Sequence, residues 1–193
     1  GNYYGTITRN FQIVSAQNTP TPAPVSKTFK DAYNTYTVNK TGTSVTLKKP
    51  NSKVIITTTI PSSVKANGKT YKVTAIAPNA FKNCRKLKQA TISKNVSSIG
   101  SGAFQGCSSL RTLKIGSKVS SIGAKAFYDC KALTSVTIQS KKLTSGSVGK
   151  SAFAKAGRNN YKKLKVKVPK SRLSAYKKLL KAKGLSSKAK VTK

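Results

Sequence analysis

Histidine, methionine and tryptophan are missing from this 193-residue sequence, and it holds only two carboxylates, Asp31 and Asp129. Each absence removes a class of chemistry. Without histidine there is no Ser–His or Cys–His nucleophile pair and no imidazole metal ligand. Two acids about a hundred residues apart make no carboxylate pair, so general acid–base work would fall to Lys, Tyr or Cys. No motif supports a lysine base, and the chain is read as a non-enzyme with no cofactor and no metal site. The three cysteines, Cys84, Cys107 and Cys130, are an odd set and do not read as a disulfide framework. No apolar run approaches the ~20 residues of a membrane span. No export signal is visible either, but Gly1 reads as the trimmed start of a longer sequence, so that absence excludes nothing.

The scarcity of acid has a counterpart in 38 Lys and Arg, giving a formal net charge of +36. An ordinary surface mixes both signs, whereas this one can hardly form an internal ion pair. Its field attracts polyanions and repels cations over roughly a Debye length, ~8 Å at physiological salt. Phosphate polymers, sulfated or uronic polysaccharides, acidic membranes and nucleic acids all fit that field.

A gapless repeat dominates the middle of the chain. Val73–Asn95, Val96–Lys118 and Val119–Lys141 align position for position over 23 residues. Phe81, Phe104 and Phe127 recur at this spacing, as do the three cysteines, Leu87, Leu110 and Leu133, and Ile92, Ile115 and Ile138. A period of 23 falls in the ~20–29 range of leucine-rich repeats. Within a unit, Leu110-x-x-Leu113-x-Ile115 ends in strand-like alternation. The stretch Ala103-Phe104-x-x-Cys107-x-x-Leu110 has the spacing of three expected of a tight helical turn. Gly100 and Gly123 punctuate the join. One such unit cannot close a core, but stacked units bury Ile, Phe, Cys and Leu as continuous ladders. The cysteines are then small buried hydrophobes rather than nucleophiles.

The expected class is an α+β repeat solenoid, a short leucine-rich-repeat stack with a β-rich N-terminal cap and a helical C-terminal cap. Residues 1–27 read as a tail with a stiff linker, Thr19-Pro20-Thr21-Pro22-Ala23-Pro24. Residues 28–72 form the N-terminal cap, with strands at Tyr36–Val38, Ser44–Leu47 and Val54–Ile60 and a hairpin turn at Asn67-Gly68. Residues 73–168 hold about four coils, the last degenerate, with Phe153 repeating the motif and Tyr161-x-x-Leu164-x-Val166 standing in for the strand. Residues 169–193 are the capping helix and tail, opened by Pro169, striped by Leu173, Tyr176, Leu179 and Leu180, and stopped by Gly184.

The repeat Ile-Gly-x-x-Ala-Phe-x-x-Cys-x-x-Leu-x-x-Val-x-Ile at Ile122–Ile138 resembles the BspA-type leucine-rich repeat. The stretch Ile60-Pro61-Ser62-Ser63-Val64 through Thr74 is similar to the start of such modules, and Val168-Pro169-Lys170 through Lys177 to their end. The resemblance covers roughly residues 54–180, and Lys-rich versions resemble C-terminal regions of surface proteins from Gram-positive gut bacteria. It implies an extracellular or wall-attached adhesive bacterial protein and carries over no ligand residue.

On the sheet, outward positions read Gln89, Thr91, Ser93; Thr112, Lys114, Gly116; Ser135, Thr137, Gln139; then Lys163, Lys165, Lys167. The first three coils present a small, polar face without aromatics, with most of the charge arriving in the last coil, and the missing aromatics disfavour single-stranded nucleic acid. Lys141–Lys193 holds 18 Lys and Arg and no acid. The amphipathic helix reads as the terminal cap, with a membrane-surface helix as the alternative. Capping does not explain why Lys177, Lys178, Lys181 and Lys183 lack an interleaved Glu, since Glu–Lys pairs would support an exposed helix. Polyanion binding is accordingly expected at Lys162, Lys163, Lys165, Lys167, Lys170, Arg172, Lys177, Lys178, Lys181 and Lys183, and the sheet face is expected not to be the main site, because most of its lysines sit in the last coil. The expected partner of this monomer is an anionic cell-wall polymer or acidic polysaccharide, and a host protein bound through the sheet face is the alternative.

Overall fold

A computed structural model describes residues 28–193; the expected tail and Pro-rich linker lie outside the described residues. The chain opens with β1 (Thr28–Lys30), β2 (Asn34–Val38), β3 (Ser44–Pro50) and β4 (Thr57–Ile60), then the hairpin β5 (Ser63–Ala66) and β6 (Lys69–Ile76). Longer and two-residue strands then alternate as β7 (Gln89–Ile92), β8 (Ser98–Ile99), β9 (Thr112–Ile115), β10 (Ser121–Ile122) and β11 (Ser135–Ile138). The last part carries β12 (Lys165–Lys167), helix α1 (Leu173–Ala182) and β13 (Lys190–Thr192). The hairpin turn lies where the sequence places it, with Asn67 and Gly68 at φ 49° and 72° joining Ala66 to Lys69.

Two sheets face each other across one core. One runs β4-β7-β9-β11-β12-β13, every neighbouring pair parallel. The other runs β1-β2-β3-β6-β8-β10, with β5 added on β6. Each coil contributes one strand to each sheet, so identical residues recur one strand apart and stack. Phe81, Phe104, Phe127 and Phe153 form a column with ring centroids 4.8, 5.5 and 5.3 Å apart. Offset stacking of this kind adds ~0.5–1.5 kcal/mol per pair beyond area burial.

The tight turns tie coil to coil through backbone bonds. Phe81 N–H donates to Ala103 O (2.7 Å), Phe104 N–H to Ala126 O (2.8 Å) and Phe127 N–H to Ala152 O (2.8 Å). Two positions per turn adopt left-handed φ in every coil. Asn79, Gly102, Lys125 and Ser151 hold one, and Asn83, Gly106, Asp129 and Lys155 the other, all between 56° and 71°. Asn, Asp and Gly suit that region, whereas Lys and Ser are held there by their neighbours.

The stack is closed at its C-terminal end by α1. Tyr176, Leu179 and Leu180 are buried on its inner side. The Tyr176 hydroxyl donates to Ser140 O (2.9 Å) and accepts from Leu143 N–H (3.1 Å). Phe153 N–H, which would otherwise face a further coil, donates to Lys183 O (3.0 Å). Gly184, at φ 95°, follows the last turn of the helix as its sequence position suggests.

Candidate functional site

The groups best suited to chemistry are engaged in structure. Cys84, Cys107 and Cys130 are free thiols, fully buried and stacked along the solenoid. Cys107 Sγ donates to Phe81 O (3.0 Å) and Cys130 Sγ to Phe104 O (3.1 Å). Burial raises all three thiols, Cys107 to about 12 and Cys130 well above its usual value. A thiol so raised supplies almost no thiolate near neutrality.

Both carboxylates are occupied as well. Asp31 accepts from Tyr33 N–H (2.7 Å), Asn34 N–H (2.6 Å) and the Tyr36 hydroxyl (2.9 Å), closing the turn into β2. Burial, and then Asp31, push the Tyr36 phenol above its ordinary range. Asp129 pairs with Arg158 at 2.6 Å, the only ion pair among the described residues. Among those residues no group of three His, Cys, Asp or Glu could hold a metal ion, and no helix is long and apolar enough to cross a membrane.

What remains is the cationic surface, and strand register determines its layout. Across the parallel sheet one outward row reads Thr57, Gln89, Thr112, Ser135, Lys165, Lys190. The next reads Thr59, Thr91, Lys114, Thr137, Lys167, Thr192. Ala90, Leu113, Val136 and Val166 between these rows point into the core, which turns both rows outward. Adjacent strands are ~4.8 Å apart, and alternate residues of one strand ~6.6 Å apart. The face is therefore neutral and polar at β4 and β7 and becomes basic from β9 to β13.

Seven of the ten candidate cations fall into two groups. Lys165 and Lys167 lie on the outward sheet face, approached from the turn that carries Lys162 and Lys163. Lys177, Lys178 and Lys181 lie on the exposed side of α1. The helix buries its other side in the core that Val166 and Val168 close from the sheet, so sheet and helix lysines point away from opposite sides of one layer. Lys170 and Arg172 sit in the turn before the helix, and Arg172 Nε donates to Lys141 O (2.9 Å). Lys183 ends the helix, half-buried, with its carbonyl given to Phe153. Beside this end, Leu143, Thr144, Arg172, Ala175 and Lys178 line an open groove of about 390 Å³.

One cation was not anticipated. Lys190 lies directly across from Lys165 because the tail returns as β13, parallel to β12. The signal was present in the sequence, since Lys190-Val191-Thr192 repeats the alternation of Lys165-Val166-Lys167.

Comparison with known proteins agrees with this architecture. A family model described as the BspA type leucine rich repeat region matches residues 74–188, in six copies. A leucine rich cell surface protein of Faecalibacterium prausnitzii is similar over 74% of this chain and 37% of its own, at 27% identity and TM-score 0.61. A leucine-rich repeat protein from Bacteroides capillosus is similar over 61% of this chain and 88% of its own, at 31% identity and TM-score 0.53. The Treponema pallidum leucine rich repeat protein, at 23% identity, TM-score 0.60 and 72% and 60% coverage, bears on the fold alone. This chain thus spans little more than a third of the Faecalibacterium protein. No curated protein matches it. With a family match over more than half its length and a stacked parallel sheet of the same kind, the chain belongs to the BspA-type leucine-rich-repeat family.

Proposed function

We propose that this domain is a non-catalytic extracellular binding module that retains a secreted or surface protein at an anionic surface, either cell-wall teichoic acid or an acidic glycan. The reading rests above all on the uncompensated charge of the C-terminal end. Residues 141–193 carry 18 Lys and Arg and no acid, and most of those side chains are exposed. Many weak contacts between ammonium groups and phosphates or carboxylates add up through multivalency. A non-catalytic role is supported by the missing histidine, the buried thiols and the two carboxylates tied into structure. A surface location is supported by the family and by the Faecalibacterium relative, which is described as a cell surface protein.

The neutral rows at the other end of the sheet support a second reading. There Thr57, Gln89, Thr91 and Thr112 present a polar face to which a host protein could dock, making the domain an adhesin. Salt separates the two. Retention by charge falls steeply with ionic strength, whereas a specific protein interface loses mainly association rate. The test is pull-down on purified cell walls, with and without teichoic acid, across a sodium chloride series. Retention that disappears with teichoic acid or with moderate salt is the expected result. Equal retention on stripped walls at high salt would refute it.

A further inference from the structure

We infer that the seat for the anionic polymer is the lysine cluster on the last strands of the parallel sheet, Lys114, Lys165, Lys167 and Lys190, and that it takes a polyol phosphate chain laid across the strands. This rests on the retention reading above and narrows it to one surface and one ligand chemistry.

The register brings these four side chains together. Lys165 and Lys190 are direct partners on β12 and β13, while Lys114 and Lys167 stand one strand to either side of Thr137. All four are exposed and fall within three strand spacings, about 14 Å. Like charges placed directly across neighbouring strands destabilise a sheet. Nothing on this face offsets them, because Ser135, Thr137 and Thr192 are neutral and both carboxylates are engaged elsewhere, at β2 and at Arg158. The native fold therefore holds an uncompensated cationic patch, and a bound anion supplies the missing charge.

Geometry favours this face over the helix. The rows run perpendicular to the strands, so a linear polymer crossing them meets Lys190, then Lys165 or Lys167, then Lys114. On α1 the lysines at 177, 178 and 181 diverge around a convex cylinder. The chemistry of the face points to phosphate diesters on a polyol. Every cation is an ammonium, which holds phosphate as a point charge, and no guanidinium fork is offered for bidentate carboxylate. Ser135 and Thr137 add hydroxyl donors between the lysines. Among the described residues, no outward position of these strands carries an aromatic side chain to stack a base or a sugar ring, which separates this ligand from nucleic acid.

The experiment uses the full chain and three probes of matched charge: poly(glycerol phosphate), polygalacturonate and oligothymidylate. Two variants each remove four charges, K114Q/K165Q/K167Q/K190Q on the sheet and K170Q/K177Q/K178Q/K181Q at the helix. The sheet variant is expected to weaken poly(glycerol phosphate) binding about tenfold or more and to flatten its salt dependence, and the helix variant to weaken it less than about threefold. Lys190→Glu provides a control on folding, since it creates a cross-strand pair with Lys165. It should raise the melting temperature while lowering affinity more than Lys177→Glu does. Equal losses from the two quadruple variants would leave charge retention standing and overturn the sheet seat. Tighter binding of polygalacturonate or oligothymidylate would overturn the ligand class. If the wild-type chain bound none of the three, the retention reading itself would fail.

Discussion

Replacing Gly123 by alanine tests the idea that the coils are held at backbone contact. Gly100, Gly123 and Gly149 occupy one repeat position, and each donates its N–H to the preceding coil, Gly123 to Ile99 O at 2.8 Å. A Cβ on Gly123 would lie 2.6 Å from Ser101 Cα and 2.7 Å from Gly100 C, closer still to Ser101 N, against an ordinary contact of at least 3.4 Å. These are backbone atoms, so no side chain can swing aside, and the coils must separate locally by about 1 Å to restore ordinary contact with Ser101 N. A gap of that size forfeits a quarter to a half of the dispersion well for the atoms concerned. Overpacking typically costs ~1–3 kcal/mol, and a clash with backbone belongs at the upper end. Gly→Ala also removes freedom from the unfolded chain, which returns ~0.4–1 kcal/mol. The expected net loss is about 2–3 kcal/mol, or roughly 4–10 °C in melting temperature for a domain of this size. Gly146→Ala is the internal control, because nothing lies within 4 Å of the added carbon. Circular dichroism melts and urea titrations of the two variants measure the difference. If G123A lay within about 0.5 kcal/mol of both wild type and G146A, the coils would be loosely spaced and the contact argument wrong.

Three further outcomes are expected. Thiol reagents should label Cys84, Cys107 and Cys130 only on denaturation, and stability should fall as pH rises above ~8.5, where unfolded thiols ionise while the raised native ones stay neutral. That slope reaches up to ~1.4 kcal/mol per pH unit for each protected thiol, so a C107A/C130A variant with the same slope as wild type would contradict it. Moderate sodium chloride should raise the melting temperature, because a fold at +36 with one ion pair among its described residues repels itself; a flat response from low to moderate salt would mean that the lysines stand too far apart to interact.

Most of the fold was legible because a solenoid repeats its own instructions. Phe81, Phe104 and Phe127 are visible as a period of 23 in the sequence, Phe153 follows three residues late, and all four appear as one column of stacked rings in space. The departures have local causes. Val54–Ile60 has the composition of one strand, yet only Thr57–Ile60 pairs, and Val54 and Ile56 stay exposed. Composition records β preference, whereas pairing needs a neighbour with free backbone groups, and β7 offers four residues. Lys125, Ser151 and Lys155 carry no hint of left-handed backbone in their own identity; only alignment with Asn79, Gly102 and Gly106 reveals it. The layout of the lysines was the least legible part. Their number is plain in the sequence, but Lys165 and Lys177 separate onto opposite sides of one layer only because α1 folds back as a crossover between two parallel strands. The same crossover brings Lys190 beside Lys165.

The hydrogen bonds that join Phe81 to Ala103, Phe104 to Ala126 and Phe127 to Ala152 all run along the stacking axis, each spanning one coil. Such a stack responds to tension differently from a globule. Pulled by its termini, a globule gives way in one event, whereas a column bonded only between nearest neighbours peels from whichever end is weaker. Each coil of 23 residues would release roughly 80 Å of chain at ~3.5 Å per residue while losing only about one strand spacing of folded length. Held at its lysine-bearing end and dragged from the other by flow, this domain would pay out slack coil by coil from the far end. The strands that carry Lys165, Lys167 and Lys190 would be the last to unravel.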